Sequence, residues 1–375
     1  PRHRYPPPPA ADLSGFQSVA EASSVLAAII LVHESGHFLA ASLLGIRISQ
    51  FAIGFGPPLA RFSSSSGIEF SLRSFPLGGY VAFPDADDPE FPESGLDPDD
   101  PDLLRNRPLP HRFLVVSAGV AANLLFAYLV LFSQCLSLGA AVRQPLPGIL
   151  IPEVRPLSPA AVAGLLSGDV ILDGPSVYGL VDLIKSSPGK SIPFQISRQT
   201  IPDPFIVNVV PDMDSDGTGR IGVQLSPNFT VTRIRPANIF EAIRFSGKEF
   251  VSLTATVLDG LKETFMNFSQ TAGKVAGPVA IIATGAEVAR LSSDGLFQFA
   301  AVINLNLAVI NLLPLPALDG GTLALLLVEA ARGGRKLPRE LEQRIMSSGI
   351  MVVLMLGLIL IVRDTLNLDF VKEML

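Results

Sequence analysis

His33, Glu34 and His37 stand in the run His33-Glu34-Ser35-Gly36-His37, inside an otherwise apolar stretch. On a helix, residues four apart share a face, so both imidazoles can reach one metal ion. Glu34 lies beside them, where it can take a proton from water held by that ion. Zinc lowers the pKa of such a water to about 7, which makes a nucleophile at neutral pH. A catalytic zinc takes three protein ligands and keeps one position open. The candidate third ligand is Asp319, the sole charged residue of the apolar run 295–328. It follows Asn311-Leu312-Leu313-Pro314-Leu315-Pro316-Ala317-Leu318 and precedes Gly320-Gly321. A lone buried carboxylate needs a partner, and a cation held by two neutral imidazoles is one. Pro314 and Pro316 interrupt helical hydrogen bonding, which an apolar segment tolerates where its backbone lines a protein cavity. Asn311 supplies an amide able to hold substrate or a developing oxyanion.

The elements that carry these residues read as membrane spans. Runs 22–46, 113–138, 295–328 and 345–362 are each near the ~20 residues that cross a bilayer. Only 17% of the 375 residues are charged, against about 25% in soluble proteins. Ionisable groups in mid-span are costly and functional by default, which argues against His33, Glu34 and His37 merely bridging helices. A metal transporter fits poorly, because one His-pair site without a series of polar helices makes no conduction path. Cys135 is the only cysteine, so no intrachain disulfide is possible and no cysteine cluster can hold a metal. The net charge of -6 offers no basic face, so no nucleic-acid partner is expected.

The expected organisation is a multi-pass α-helical membrane protein of about four spans, with a membrane-associated β-hairpin loop and one inserted β-rich domain. Residues 1–15 read as a flexible leader. Residues 16–145 form the first membrane half, and 146–225 the inserted domain. Residues 226–294 read as amphipathic surface helices, and 295–375 as the second membrane half. In the loop after the first span, Gly54-Phe55-Gly56 and Leu77-Gly78-Gly79-Tyr80-Val81 flank alternating residues that predict short strands. An edge of those strands could accept an extended peptide by main-chain hydrogen bonds. The acidic run that follows, with nine Asp or Glu between 85 and 102, reads as a solvated loop. Basic residues of the first loop (Arg47 to Arg112) and of 332–344 put these two loops on one side of the membrane. The inserted domain then falls on the other.

Three motifs together resemble the site-2 protease family: H-E-x-G-H in a first span, G-F-G…P-L-G-G-Y-V after it, and N-x-x-P-x-P-x-L-D-G-G later. The single inserted module, with Leu166-Ser167-Gly168-Asp169-Val170-Ile171, is similar to a PDZ domain, as in the RseP-like branch. Phe51-Ala52-Ile53-Gly54-Phe55-Gly56-Pro57, Val275-Ala276-Gly277-Pro278-Val279-Ala280 and the tail from Asp364 resemble the plant chloroplast members. The resemblance covers nearly all of 20–375. It implies an intramembrane zinc metalloendopeptidase acting on transmembrane protein substrates within the lipid bilayer, in regulated intramembrane proteolysis. The implied location is a plastid membrane, with the inner envelope expected. By the same resemblance His33, His37 and Asp319 hold Zn2+, Glu34 is the acid/base, and Asn311 positions substrate. Gly54, Gly56, Gly78 and Gly79 belong to the hairpin that holds the substrate strand. Where a PDZ domain continues past Ile171 into a strand and hairpin, Leu172-Asp173-Gly174-Pro175 runs straight toward a helix near Val181, about ten residues short. The module is a candidate site for a peptide or partner protein. The alternative for the whole chain is a scaffold or chaperone of the same fold without proteolysis, against which the intact motifs argue.

Overall fold

The computed structural model describes residues 13–84, 97, 99–174, 176–214, 217–271, 275–291 and 293–367. Most of the expected leader and of the acidic run, and the end of the tail, lie outside them. The chain divides into two compact units, Pro1–Leu138 with Pro236–Leu375, and Gly139–Arg235.

In the first unit, α1 (Leu13–Leu43) packs on α2 (Leu109–Leu138), and both contact α8 (Ser293–Asn311). Among the described residues four helices are long and apolar enough to cross a membrane: Gln17–Leu43, Leu109–Leu138, Asp294–Asn311 and Arg339–Asn367. The expected single run 295–328 is corrected. It divides into α8 and α9 (Asp319–Ala331), because the Pro314 and Pro316 ring nitrogens have no proton to continue the ladder. The connecting residues close through Leu315 N–H to Leu313 C=O, 2.7 Å, and Leu318 N–H to Leu315 C=O, 3.2 Å. Ala317 takes φ 78°, a left-handed conformation rare outside glycine. α10 (Arg339–Asn367) keeps Met351, Leu354, Met355 and Ile359 exposed, the face a span turns to lipid.

α5 (Ile239–Met266) is one continuous helix. Asn238 caps it, its Oδ1 accepting from Glu241 N–H at 2.9 Å, while Glu241 Oε2 accepts from Ala237 N–H at 2.7 Å. Its inner face, with Val257 buried, packs with Ala127 of α2 and Leu305 of α8. Further along, α6 (Phe268–Thr271) and α7 (Pro278–Leu291) lead into α8.

Two strands, β1 (Gln50–Ser63) and β2 (Glu69–Ala82), follow α1. Each doubles back on itself. Residues 50–53 pair parallel with 69–72 on one side and antiparallel with 82–79 on the other, while 58–63 pair antiparallel with 73–69. Four segments thus lie side by side in the order 79–82, 50–53, 69–73, 58–63, leaving 79–82 at an edge. Gly54 (φ 87°) and Gly56 (φ 83°) make the bend within β1, a conformation that costs glycine little.

The second unit is a five-stranded sheet in the order β6-β5-β4-β3-β9, built from β3 (Ala140–Val154), β4 (Val170–Ile171), β5 (Ile192–Arg198), β6 (Ile201–Val209) and β9 (Val223–Ile234). All of its pairings are antiparallel. Short α3 (Pro159–Val162) and α4 (Val177–Lys185) complete the unit with a two-stranded pair, β7 (Asp212–Met213) and β8 (Gly219–Arg220). The unit is wider than 146–225: residues 140–145 pair with 234–229, so 226–234, read as part of the surface helices, is strand. β4 has only two residues and leads through 172–176 into α4, yet it holds a central place in the sheet. Phe194, Ile151, Leu165, Ile171, Leu180 and Ile196 fill the core.

Asp169, 1% exposed, binds Arg198 through both carboxylate oxygens at 2.7 Å and accepts from Leu166 N–H at 2.9 Å. Removing one member of a buried pair leaves a charge uncompensated, at a cost of roughly 3 kcal/mol. Arg198→Ala is therefore expected to lower the unfolding midpoint of this unit by several degrees, with Arg198→Lys between the two. Differential scanning calorimetry of the full chain measures it.

Candidate metal centre

One face of α1 turns His33, Glu34 and His37 inward, and all three are less than 10% exposed. The first residue of α9, Asp319, comes to meet them. Its Oδ2 lies 3.1 Å from His33 Nε2 and 3.3 Å from His37 Nε2, and the two Nε2 atoms are 3.3 Å apart. Asp319 Oδ2 has no hydrogen-bond partner among the described residues. With their lone pairs turned toward one another, these three atoms would be held together by a cation placed between them. A tetrahedral zinc with bonds of 2.0–2.1 Å holds its ligand atoms about 3.3–3.4 Å apart. The observed triangle matches that spacing, so the donor set fits zinc.

α2 supplies the support. His37 Nδ1 lies 2.8 Å from the carbonyl of Val115. A carbonyl only accepts, so Nδ1 carries a proton, and in the neutral ring Nε2 then presents its lone pair. Gly119, one turn on, lies against both rings: a methyl there would fall within 2.8 Å of His33 Cε1 and closer still to His37. Gly36 lets the helices meet, its own missing methyl facing the Ala118 carbonyl and Ala122. Asn123, wholly buried, places Nδ2 3.2 Å from His33 Nδ1. From α8, the Asn311 amide reaches to 3.2 Å of His33 Nε2.

His33, Glu34, His37, Val115, Asn311 and Asp319 line a cavity of about 490 Å3 with Ile30, Leu307, Ala317 and Thr322. Gly78, Gly79, Tyr80 and Val81 also line it, so the edge segment 79–82 borders the same cavity as His33, His37 and Asp319. A methyl on Gly79 would come within 2.9 Å of Glu34 Cγ, so Glu34 lies against that edge. Gly54 and Gly56, expected beside the substrate, are not in the cavity wall; their part is the bend. His33, Glu34, His37, Asn311, Asp319, Gly78 and Gly79 are thus brought together. Val115, Gly119 and Asn123 carry no charge and complete no motif considered, and they were not among the residues expected at the site. The signal available was small and polar residues at helical spacing opposite His33 and His37.

The chain matches peptidase family M50 over residues 21–356. It belongs to that family. It is 60% identical to the membrane metalloprotease ARASP, chloroplastic, of Arabidopsis thaliana, over 97% of this chain and 82% of that protein. Identity is likewise 60% with the probable membrane metalloprotease ARASP2, chloroplastic, of the same plant, over 97% of this chain and 83% of that protein. A putative zinc metalloprotease of Synechocystis sp., slr1821, is 45% identical over 94% of this chain and 96% of its own length. As an M50 peptidase the chain is a metalloprotease, and its cofactor is zinc.

The two close glycine contacts separate metal retention from catalysis. Gly119→Ala pushes on both imidazoles and is expected to lose bound zinc and activity together. Gly79→Ala presses on Glu34 Cγ, on the Ala52 carbonyl and on Ile30, and on neither imidazole; it is expected to keep zinc and lose about 10²-fold in rate, the usual effect of a misplacement near 1 Å. Zinc per chain by atomic emission, beside cleavage of a model membrane peptide, measures both.

Proposed function

We propose that the chain is an intramembrane zinc metalloendopeptidase that cuts transmembrane segments of membrane-anchored proteins, in regulated intramembrane proteolysis. The reading rests above all on one observation: the His33, His37, Asp319 triangle adjoins a strand edge, unpaired among the described residues, inside a unit that holds span-length apolar helices. His33, His37 and Asp319 are the proposed ligands. When bound, zinc supplies a Lewis acid that acidifies water to a pKa of about 7 and polarises a carbonyl.

This chain's own residues do the rest. A helical substrate hides its carbonyls, so it must unwind, and 79–82 offers the backbone groups to hold it extended. Gly78 and Gly79 leave room for that chain to lie close to the site. Glu34, beside the same edge, takes a proton from water and returns it to the leaving amine. The Asn311 amide, at the end of α8, donates to the substrate carbonyl oxygen as charge builds on it. Ala317 and the Leu315–Leu318 turn hold Asp319 at the helix start.

For the second unit the proposal is a shortened PDZ-like module. Between α4 and β8–β9 runs a groove of about 270 Å3 with Val181, Ile184 and Leu225 at its base and Arg155, Lys185 and Arg220 around it. An apolar floor with a basic rim suits a peptide or partner protein carrying a carboxylate. The chloroplastic names of two relatives support a plastid membrane for this chain, with the inner envelope as the proposed one. Import followed by envelope and thylakoid fractionation checks that assignment.

His33→Ala and Asp319→Ala are expected to lose zinc and activity together. Glu34→Gln should keep stoichiometric zinc and lose at least about 10²-fold in rate, because it removes a proton carrier and no ligand. Equal zinc loss in all three would overturn the role assignment. A wild-type chain that holds zinc yet leaves a transmembrane peptide intact would favour the scaffold.

A further inference from the structure

We infer that Asn123 is the positioning residue that sets the metal-binding tautomer of His33, its amide oxygen accepting the ring's Nδ1 proton; the inference rests on the proposed ligand role of His33. A neutral imidazole carries one proton, on Nδ1 or on Nε2, and the partner of one nitrogen decides the state of the other. Nε2 of His33 faces Asp319 Oδ2 at 3.1 Å and His37 Nε2 at 3.3 Å, and it can hold a metal only as a bare lone pair. The proton must then sit on Nδ1, and Nδ1 needs an acceptor. For His37 the chain provides one that cannot do otherwise, the Val115 carbonyl at 2.8 Å. For His33 the neighbour of Nδ1 is the Asn123 amide, at 3.2 Å.

An amide can present either end. With Nδ2 toward the ring, Asn123 would donate to Nδ1, drive the proton to Nε2, and leave its own Oδ1 buried without a partner among the described residues. A buried acceptor left so costs about 1–3 kcal/mol. Half a turn about the last side-chain bond brings Oδ1 onto Nδ1–H and removes both faults. Asn304 lies alongside, its Nδ2 donating to the Asn123 backbone carbonyl at 2.8 Å and its Oδ1 also without a partner among the described residues. Both asparagines are wholly buried in apolar helices. Partners that orient a ligand imidazole in this way raise its basicity and typically contribute 10–100-fold to metal affinity. A plain helix-bridging amide would contribute to stability and leave affinity for zinc unchanged.

The test compares zinc affinity of the full chain in lipid nanodiscs, by chelator competition, for wild type, Asn123→Leu, Asn123→Asp and His33→Ala. Asn123→Leu is expected to weaken zinc 10–100-fold. Asn123→Asp, an acceptor of the same shape, should match wild type or bind tighter. Histidine-selective 15N NMR of the zinc-loaded wild type should show Nδ1 of His33 protonated. Should the Leu variant fail to fold, Asp against wild type decides alone: a carboxylate facing a ring lone pair weakens binding, whereas one facing Nδ1–H does not. An Asp variant that falls about tenfold or more, or a folded Leu variant within about twofold of wild type, overturns the inference. Wild-type affinity retained in His33→Ala would instead overturn the ligand role on which it rests.

Discussion

A carboxylate and two imidazoles meet inside an apolar helix bundle with their ligand atoms about 3 Å apart, and a cation between them satisfies all three at once. Much of the membrane unit follows from holding them there. α2 must come close enough for Val115 to accept from His37, which requires Gly119 and Gly36 where larger side chains would collide. α8 must stop before Asp319 so that α9 can begin with the carboxylate pointing inward, and two prolines stop it. Ala317 carries the left-handed backbone of that turn. Strain of that kind, on the order of 1–3 kcal/mol, persists where the surroundings over-determine it, and here it adjoins the proposed third ligand.

The same constraint shapes access. A site built for peptide bonds needs an extended chain, and an extended chain in an apolar medium needs every backbone group paired. In the proposed function the edge of 79–82, unpaired among the described residues and in the wall that also holds Glu34, answers both needs at once. Exposed edges invite aggregation, and this one is short, begins at Gly79 and lies within the cavity wall.

What the sequence makes legible is local. His33 and His37 are visible because four residues make one helical turn, and Asp319 because a solitary charge interrupts a long apolar run. The break in that run is only half visible. Pro314 and Pro316 announce it, but hydropathy reads straight across 312–318 because those residues are as apolar as the helices they join. Gly54 and Gly56 cannot be told from Gly78 and Gly79 by composition; the fold makes one pair a bend and the other a wall. The strand at 226–234 is hidden because its partner is 140–145, far away in the chain. Asn123 and Gly119 stay silent for the same reason: an uncharged residue acquires its part only when another helix arrives.

The central claim is that one zinc ion sits between residues of α1 and α9. Anomalous diffraction at the zinc edge from crystals of the zinc-loaded chain tests it most directly. The account predicts a single peak per molecule within about 2.0–2.2 Å of His33 Nε2, His37 Nε2 and an Asp319 carboxylate oxygen. A peak bound elsewhere, or one at the two histidines with Asp319 well beyond bonding distance, would contradict it.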